Sequence, residues 1–198
     1  MNSEQVTPSG QRRAFIGIPV DKAFQVQINR VLESVRASRR DISWVPEGNR
    51  HLTLAFLGKL PDRQIEALLD SFDQTYRQEQ HFEYGFTKLT HFPARSSRLI
   101  ALTGEPAGAL AQLFDRTQAF LEGENARFDR KPFRPHITLG RIKKVQKTND
   151  PFELPVDIRM SVNTLKFFQS TLTRSGSIYS TLREVQLRHG RGDKALPA

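Results

Sequence analysis

Two short segments carry residues that could do chemistry together. His51-Leu52-Thr53-Leu54 recurs as His136-Ile137-Thr138-Leu139, 85 residues further on, with His, Thr and Leu identical. In a strand, alternate side chains point to opposite faces. Each copy then presents an imidazole and a hydroxyl on one face and two aliphatic side chains on the other. On strict alternation Ala55 and Gly140 complete the polar faces and leave room beside them. Two such strands facing each other line a cleft with two imidazoles and two hydroxyls, a set suited to phosphodiester chemistry without a metal. One neutral imidazole takes a proton from the attacking water or hydroxyl, and the other, protonated, gives one to the departing alkoxide. Thr53 and Thr138 donate to the non-bridging phosphate oxygens, where charge accumulates. With imidazoles near a pKa of about 6.5, charged and neutral forms coexist close to neutral pH and a bell-shaped pH–rate profile follows. Arg141 would add charge to the phosphate site. It lies five residues after His136, so alternation turns it away unless the strand ends, or bulges near Gly140, before reaching it.

A single such segment is explained as well by a buried, hydrogen-bonded histidine beside a β-forming threonine. The surrounding elements weigh against coincidence. A strand at 14–19, shifted by 85, falls on 99–104, and each is followed by an amphipathic helix leading toward its own HxT strand. Two similar lobes about a pseudo-two-fold axis are expected, each contributing one HxT strand. Helical stripes run through Phe24, Ile28, Val31, Leu32 and Val35 after an Asp21 cap, through Ile65, Leu68, Leu69 and Phe72 from Pro61-Asp62, and through Leu110, Leu113, Phe114, Thr117 and Leu121 after Pro106. Strands are expected at 14–19, 42–45, 51–57, 82–89, 99–103, 136–142, 164–172 and 178–187. The last two are joined at Arg174-Ser175-Gly176 as a hairpin, which makes at least part of the sheet antiparallel. Residues 1–12 and 189–198 read as flexible tails around one domain at 13–188. The Arg191-Gly192-Asp193 tripeptide in the second tail is a chance match, and 143–147 is a basic loop able to meet a phosphate backbone.

The chain has 198 residues, 30 Lys+Arg against 21 Asp+Glu, a net charge of +9 and a pI near 10.2. A chain of this size buries roughly 70% of its surface and needs no staples. With no cysteine, disulfides, thiolate catalysis and cysteine-based zinc sites are excluded. Neither HxT segment carries a second histidine or a carboxylate at i+2 or i+4, so no metal site is expected, and no cofactor. His91 reads as a loop residue outside the repeat. No transmembrane run or secretory leader is visible. The surplus of positive charge attracts polyanions, nucleic acid first among them.

These residues resemble the two-histidine (2H) phosphoesterases, specifically the LigT-like RNA 2',3'-cyclic phosphodiesterases, also called 2'-5' RNA ligases. The resemblance rests on Arg13-Ala14-Phe15-Ile16-Gly17-Ile18-Pro19, on Trp44-Val45-Pro46 through His51-Leu52-Thr53-Leu54-Ala55-Phe56-Leu57-Gly58, and on Phe133-Arg134-Pro135-His136-Ile137-Thr138-Leu139-Gly140-Arg141. Phe168-Gln169-Ser170 and Gly176-Ser177-Ile178-Tyr179 are similar to the family's last hairpin. The resemblance implies an α+β fold of two pseudo-symmetric lobes, with antiparallel sheets lining a central groove and helices outside. It implies metal-independent hydrolysis of RNA 2',3'-cyclic phosphate ends to 2'-phosphates, with reversible 2'-5' ligation as a second reaction. His51 would be the acid on the leaving 3'-oxygen and His136 the base, while Thr53, Thr138 and Arg141 hold the phosphate; a pseudo-symmetric site leaves the acid and base exchangeable. Arg50, Arg134, Arg141 and Lys143 would flank the groove; Phe15, Phe56 and Tyr179 are candidates to stack a base, each reading first as a core residue. RNA is the expected partner of a cytoplasmic monomer that does not touch membranes. The competing readings are a non-catalytic RNA-end or nucleotide-binding module on the same fold and a 2H phosphodiesterase for another 2'-linked phosphate. Two intact HxT pairs argue against the first, because binding alone needs no titrating pair. A basic membrane-surface protein is the weakest alternative, lacking a helix with a Lys-rich face.

Overall fold

The computed structural model describes residues 10–143, 152–174 and 176–188. Nine strands and three helices alternate along them: β1 (Gln11–Pro19), α1 (Lys22–Arg36), β2 (Ile42–Trp44), β3 (His51–Pro61), α2 (Asp62–Tyr76), β4 (Phe82–Phe92), β5 (Leu99–Thr103), α3 (Gly108–Gly123), β6 (His136–Ile142), β7 (Glu153–Val162), β8 (Thr164–Thr173) and β9 (Gly176–Gln186). The strands form one antiparallel sheet in the order β7-β4-β5-β6-β3-β1-β8-β9, with β2 on β6. Its two four-strand halves meet at a single residue pair, Leu52 with Ile137. The expected lobes are therefore the halves of a continuous sheet. The pair relates the same position in each copy of the repeat, so the pseudo-two-fold axis passes between these two residues.

Each helix forms for a local reason. Asp21 caps α1 by accepting from the Phe24 amide at 2.7 Å, a contact of about 1 kcal/mol. Phe24, Ile28, Leu32 and Val35 then fall on one buried stripe. Ile65, Leu68, Leu69, Phe72 and Tyr76 do the same on α2, and Leu110, Leu113, Thr117, Phe120 and Leu121 on α3.

The helices do not stay with their own half. On α1, which follows β1, Phe24 stacks on Phe86 of β4 with ring centroids 5.5 Å apart, and Gln27 Nε2 donates to the Arg159 carbonyl of β7. On α3, which follows β5, Phe120 packs edge-on against Phe72 and Tyr76 of α2, and the Tyr76 hydroxyl donates to Thr117 Oγ1 at 3.2 Å. Each half-sheet is thus covered in part by a helix that belongs, in the repeat, to the other half.

Several expectations need correction. The N-terminal strand begins at Gln11, two residues inside the expected tail, because Arg12 is tied to Asp62 and Glu66 at the start of α2. β4 continues through His91 to Phe92, so His91 is a strand residue whose Nδ1 donates to the Ser97 carbonyl at 2.7 Å. β7 had no counterpart among the expected strands. The C-terminal tail, the tip residue Ser175 and residues 144–147 of the basic loop lie outside the described residues.

Candidate active site

Around the Leu52–Ile137 pair, antiparallel register sets His51 across from Thr138 and Thr53 across from His136. Leu52 and Ile137 are fully buried, so their neighbours in each strand face the opposite side, and all four open into one cleft of about 540 Å³. Pairing of β3 with β6 stops at that one position, and the space beyond is taken by β2 alongside β6. Divergence of the two central strands is what opens the cleft.

Each central strand carries a bulge at the same repeat position. Ile16 pairs with Ala55 and Gly17 with Thr53, leaving Leu54 as the extra residue on β3. Ile100 pairs with Gly140 and Ala101 with Thr138, leaving Leu139 extra on β6. Two consecutive buried residues follow in both strands, Leu54-Ala55 and Leu139-Gly140. Ala55 and Gly140 accordingly leave the polar face on which strict alternation had placed them. The residues after them turn back, and Arg141 lines the cleft with the four HxT side chains. The condition set for Arg141, a bulge near Gly140, is met.

The histidines are held alike. His51 Nδ1 lies 2.8 Å from the Asn49 carbonyl, and His136 Nδ1 lies 2.8 Å from the Arg134 carbonyl. A carbonyl only accepts, so Nδ1 carries the hydrogen in both rings, and each Nε2 is left for the cleft. His51 packs against Phe15 with centroids 4.7 Å apart and edge-on to Tyr179 at 5.0 Å. His136 stacks on Phe92 at 3.9 Å, and the Arg134 guanidinium lies over the Phe92 ring at 4.8 Å. Burial pushes the His51 pKa down to about 4; the Asn49 carbonyl opposes the shift and charge on His136 deepens it. Burial lowers His136 as well, with its Arg134 carbonyl bond again opposing. Neither imidazole keeps the ordinary value expected from sequence, because each is walled by an aromatic ring.

Of the four cations expected to flank the groove, only Arg141 lines it. Arg50 is 3% exposed and braces the chain, donating to Gln25 Oε1 at 2.7 Å, Asn29 Oδ1 at 3.1 Å and the Val45 carbonyl at 3.3 Å. Arg134 donates to the Pro93 carbonyl beside Phe92, and Lys143 Nζ lies 3.4 Å from the Arg40 carbonyl. Among the aromatic candidates, Phe15 is buried under His51, Tyr179 lines the cleft, and Phe56 is exposed outside it. Trp44 also lines the cleft. It fits because Gly140 beside it has no Cβ, an atom that would fall 2.5 Å from Ile42 Cγ2 and 3.0 Å from Trp44 Cε3. Phe92 gave no local signal, since only folding brings β4 beside His136. Asn49 Nδ2 donates to the Ser177 carbonyl at 2.9 Å and ties the β8–β9 hairpin to the cleft rim. Among the described residues no three of His, Cys, Asp and Glu converge as a metal site would require.

The family model for the 2'-5' RNA ligase superfamily matches residues 23–171. An RNA 2',3'-cyclic phosphodiesterase of Thermotoga maritima is 31% identical over 183 residues, 90% of this chain and 97% of that one. One of Thermus thermophilus is 30% identical over 158 residues, 74% of this chain and 77% of that protein. Among solved structures, a protein of Thermus thermophilus superposes with a TM-score of 0.76 at 24% identity, covering 89% of this chain and 98% of the other. Escherichia coli LigT in its apo form gives 0.72 at 23% identity, covering 90% and 99%.

Proposed function

The chain belongs to the 2'-5' RNA ligase superfamily, and from that premise we propose that it hydrolyses RNA 2',3'-cyclic phosphate ends to 2'-phosphate ends. Its relatives of matching length are RNA 2',3'-cyclic phosphodiesterases, and the fold is that of LigT. The observation that carries the reading to this chain is the pair of imidazoles, each with Nδ1–H fixed on a backbone carbonyl and Nε2 free for one shared cleft.

In this reading the cyclic phosphate sits between the two rings. A water loses a proton to one Nε2 as its oxygen bonds to phosphorus. The bond from phosphorus to the 3'-oxygen breaks, and the other imidazolium gives that oxygen its proton. The resemblance puts the acid at His51 and the base at His136. Thr53, Thr138 and Arg141 hold the non-bridging oxygens as charge gathers on them. A 5'-hydroxyl in place of water would join two RNA ends through a 2'-5' linkage in the same geometry. We place the enzyme in the cytoplasm as a monomer acting on RNA; no helix among the described residues is long and apolar enough to cross a membrane.

The deciding experiment is hydrolysis of a short RNA with a 2',3'-cyclic phosphate end, identifying which phosphate remains. A 2'-phosphate product, lost in His51→Ala and His136→Ala, supports the reading. No turnover by well-folded protein refutes it.

A further inference from the structure

The bulge that turns Arg141 into the cleft has a counterpart on β3, and there the residue turned outward is Phe56, 39% exposed. Arg141 and Phe56 occupy the same position of the repeat on opposite sides of the axis. The wall beside Arg141 is β2, which pairs Trp44 with Gly140. Its image, 85 residues on, is the segment 127–129, and the Asp129 amide donates to the Phe56 carbonyl at 3.0 Å. A second groove, of about 610 Å³, opens at this image, lined by Phe56, Lys59, Arg127, Phe128 and Arg130 among others. This groove thus lies at the pseudo-symmetric image of the Arg141 end of the cleft.

The chemistry of that second end is distinctive. The Arg13 guanidinium lies 5.5 Å over the Phe56 ring and that of Arg130 lies 4.8 Å over Phe128. Arg130 is paired with Glu122, whereas Arg13, Lys59 and Arg127 have no carboxylate partner among the described residues. An exposed ring interleaved with unneutralised cations is the surface that single-stranded nucleic acid uses, bases on the rings and phosphates on the cations. A single buried ring separates it from the cleft: Phe15 packs against His51 at 4.7 Å and stacks on Phe56 at 6.2 Å and 11°.

Resting on the proposed hydrolysis of RNA ends, we infer that the RNA strand leading to the reacting end leaves the cleft over Phe56, with a base stacked on that ring and its phosphates along Lys59 and Arg127. The pseudo-symmetric site is thereby polarised. One end, with Arg141, takes the phosphate, and the other, with Phe56, takes the strand.

Two readouts test this. In the first, kcat/KM is compared for a cyclic mononucleotide and for a short oligonucleotide with the same cyclic end. The wild type favours the oligonucleotide; Phe56→Ala cuts that preference about fivefold or more, while Phe56→Trp keeps it. In the second, fluorescence anisotropy follows binding of a single-stranded oligonucleotide across a salt series. Phe56→Ala weakens binding, and Lys59→Glu with Arg127→Glu flattens the salt dependence by about one phosphate contact each. A length preference and a salt slope unmoved by all these variants overturn the inference. If the wild type opens neither substrate, the reading of the cleft fails, and the anisotropy series still decides the groove.

Discussion

Leu52 and Ile137 pair across the junction of the two half-sheets and occupy the same position in the two copies of the repeat. Because both side chains are buried, the residues on either side of each must face the cleft. One pair of aliphatic residues thus sets the placement of both imidazoles and both threonines, and disturbing it moves all four groups together.

Removing either imidazole should reduce turnover by about 10²–10⁴-fold. His51→Ala with His136→Ala together should cost little more than either alone, since the two act as a unit on one exchange of bonds at phosphorus. EDTA should leave wild-type turnover unchanged. Steady-state assays on the cyclic-phosphate RNA, with circular dichroism to verify folding, read all three.

The pH profile follows from the lowered pKa values. Below about 4 His51 is protonated, and a doubly protonated pair holds no base. Once both rings are neutral, each keeps only its Nδ1 hydrogen and no acid remains at Nε2. The profile of kcat/KM, which reports the free enzyme, should peak on the acid side of the ordinary histidine value and fall about tenfold per pH unit above it. A phosphate anion between the rings favours their charged forms, so the alkaline limb of kcat should lie at higher pH. Stability has the same origin: the unfolded chain protonates His51 at its ordinary pKa while the folded chain resists until about 4. Stability contributed at neutral pH should therefore fade as pH drops between those values, by at most about 1.4 kcal/mol per unit for this group. Thermal melts of wild type against His51→Gln isolate it.

Arg141→Ala should lower kcat/KM by about 10²–10³-fold through lost stabilisation of the phosphate. Arg141→Lys should recover only part, having lost the paired donors. Gly140→Ala, adjacent in sequence, should act differently. Its Cβ meets Ile42 and Trp44 of β2, so about 1–3 kcal/mol of stability should go along with activity. Chemical denaturation separates the two variants.

Arg50→Ala should destabilise the fold by about 2–4 kcal/mol, a drop of roughly 5–15 °C in Tm, because Gln25, Asn29 and the Val45 carbonyl lose their donor inside the protein. Arg50→Lys should not restore it, having no planar fork to reach three acceptors.

Much of this was legible before folding. The HxT copies, the Asp21 cap and the bounds of β5 and β6 follow from period and local chemistry alone. β7 was legible too, in the alternation of Leu154, Val156, Ile158, Met160 and Val162, but Pro155 interrupts the reading as a strand. Pro93 likewise made His91 look like a loop, although a proline just past a strand end costs no ladder bond. The bulges at Leu54 and Leu139 were out of reach, because an extra residue exists only relative to a partner strand. The same holds for Phe92 on His136, and for Arg50, whose charge suggested solvent while two of its three acceptors lie on α1, distant in sequence.

The exchange of α1 and α3 between the half-sheets has a consequence for the chain's modularity. Cut between β4 and β5, the first fragment would keep β1, β3, α2 and the β4 under Phe24, but lose α3, its partner strands β8 and β9, and the β7 that α1 also touches. Neither fragment is a self-sufficient unit. Mixed together, the two could rebuild the cleft only by trading helices, so the repeat is interlocked rather than tandem, and the two histidines stay in register because neither half can drift without dragging the other's roof.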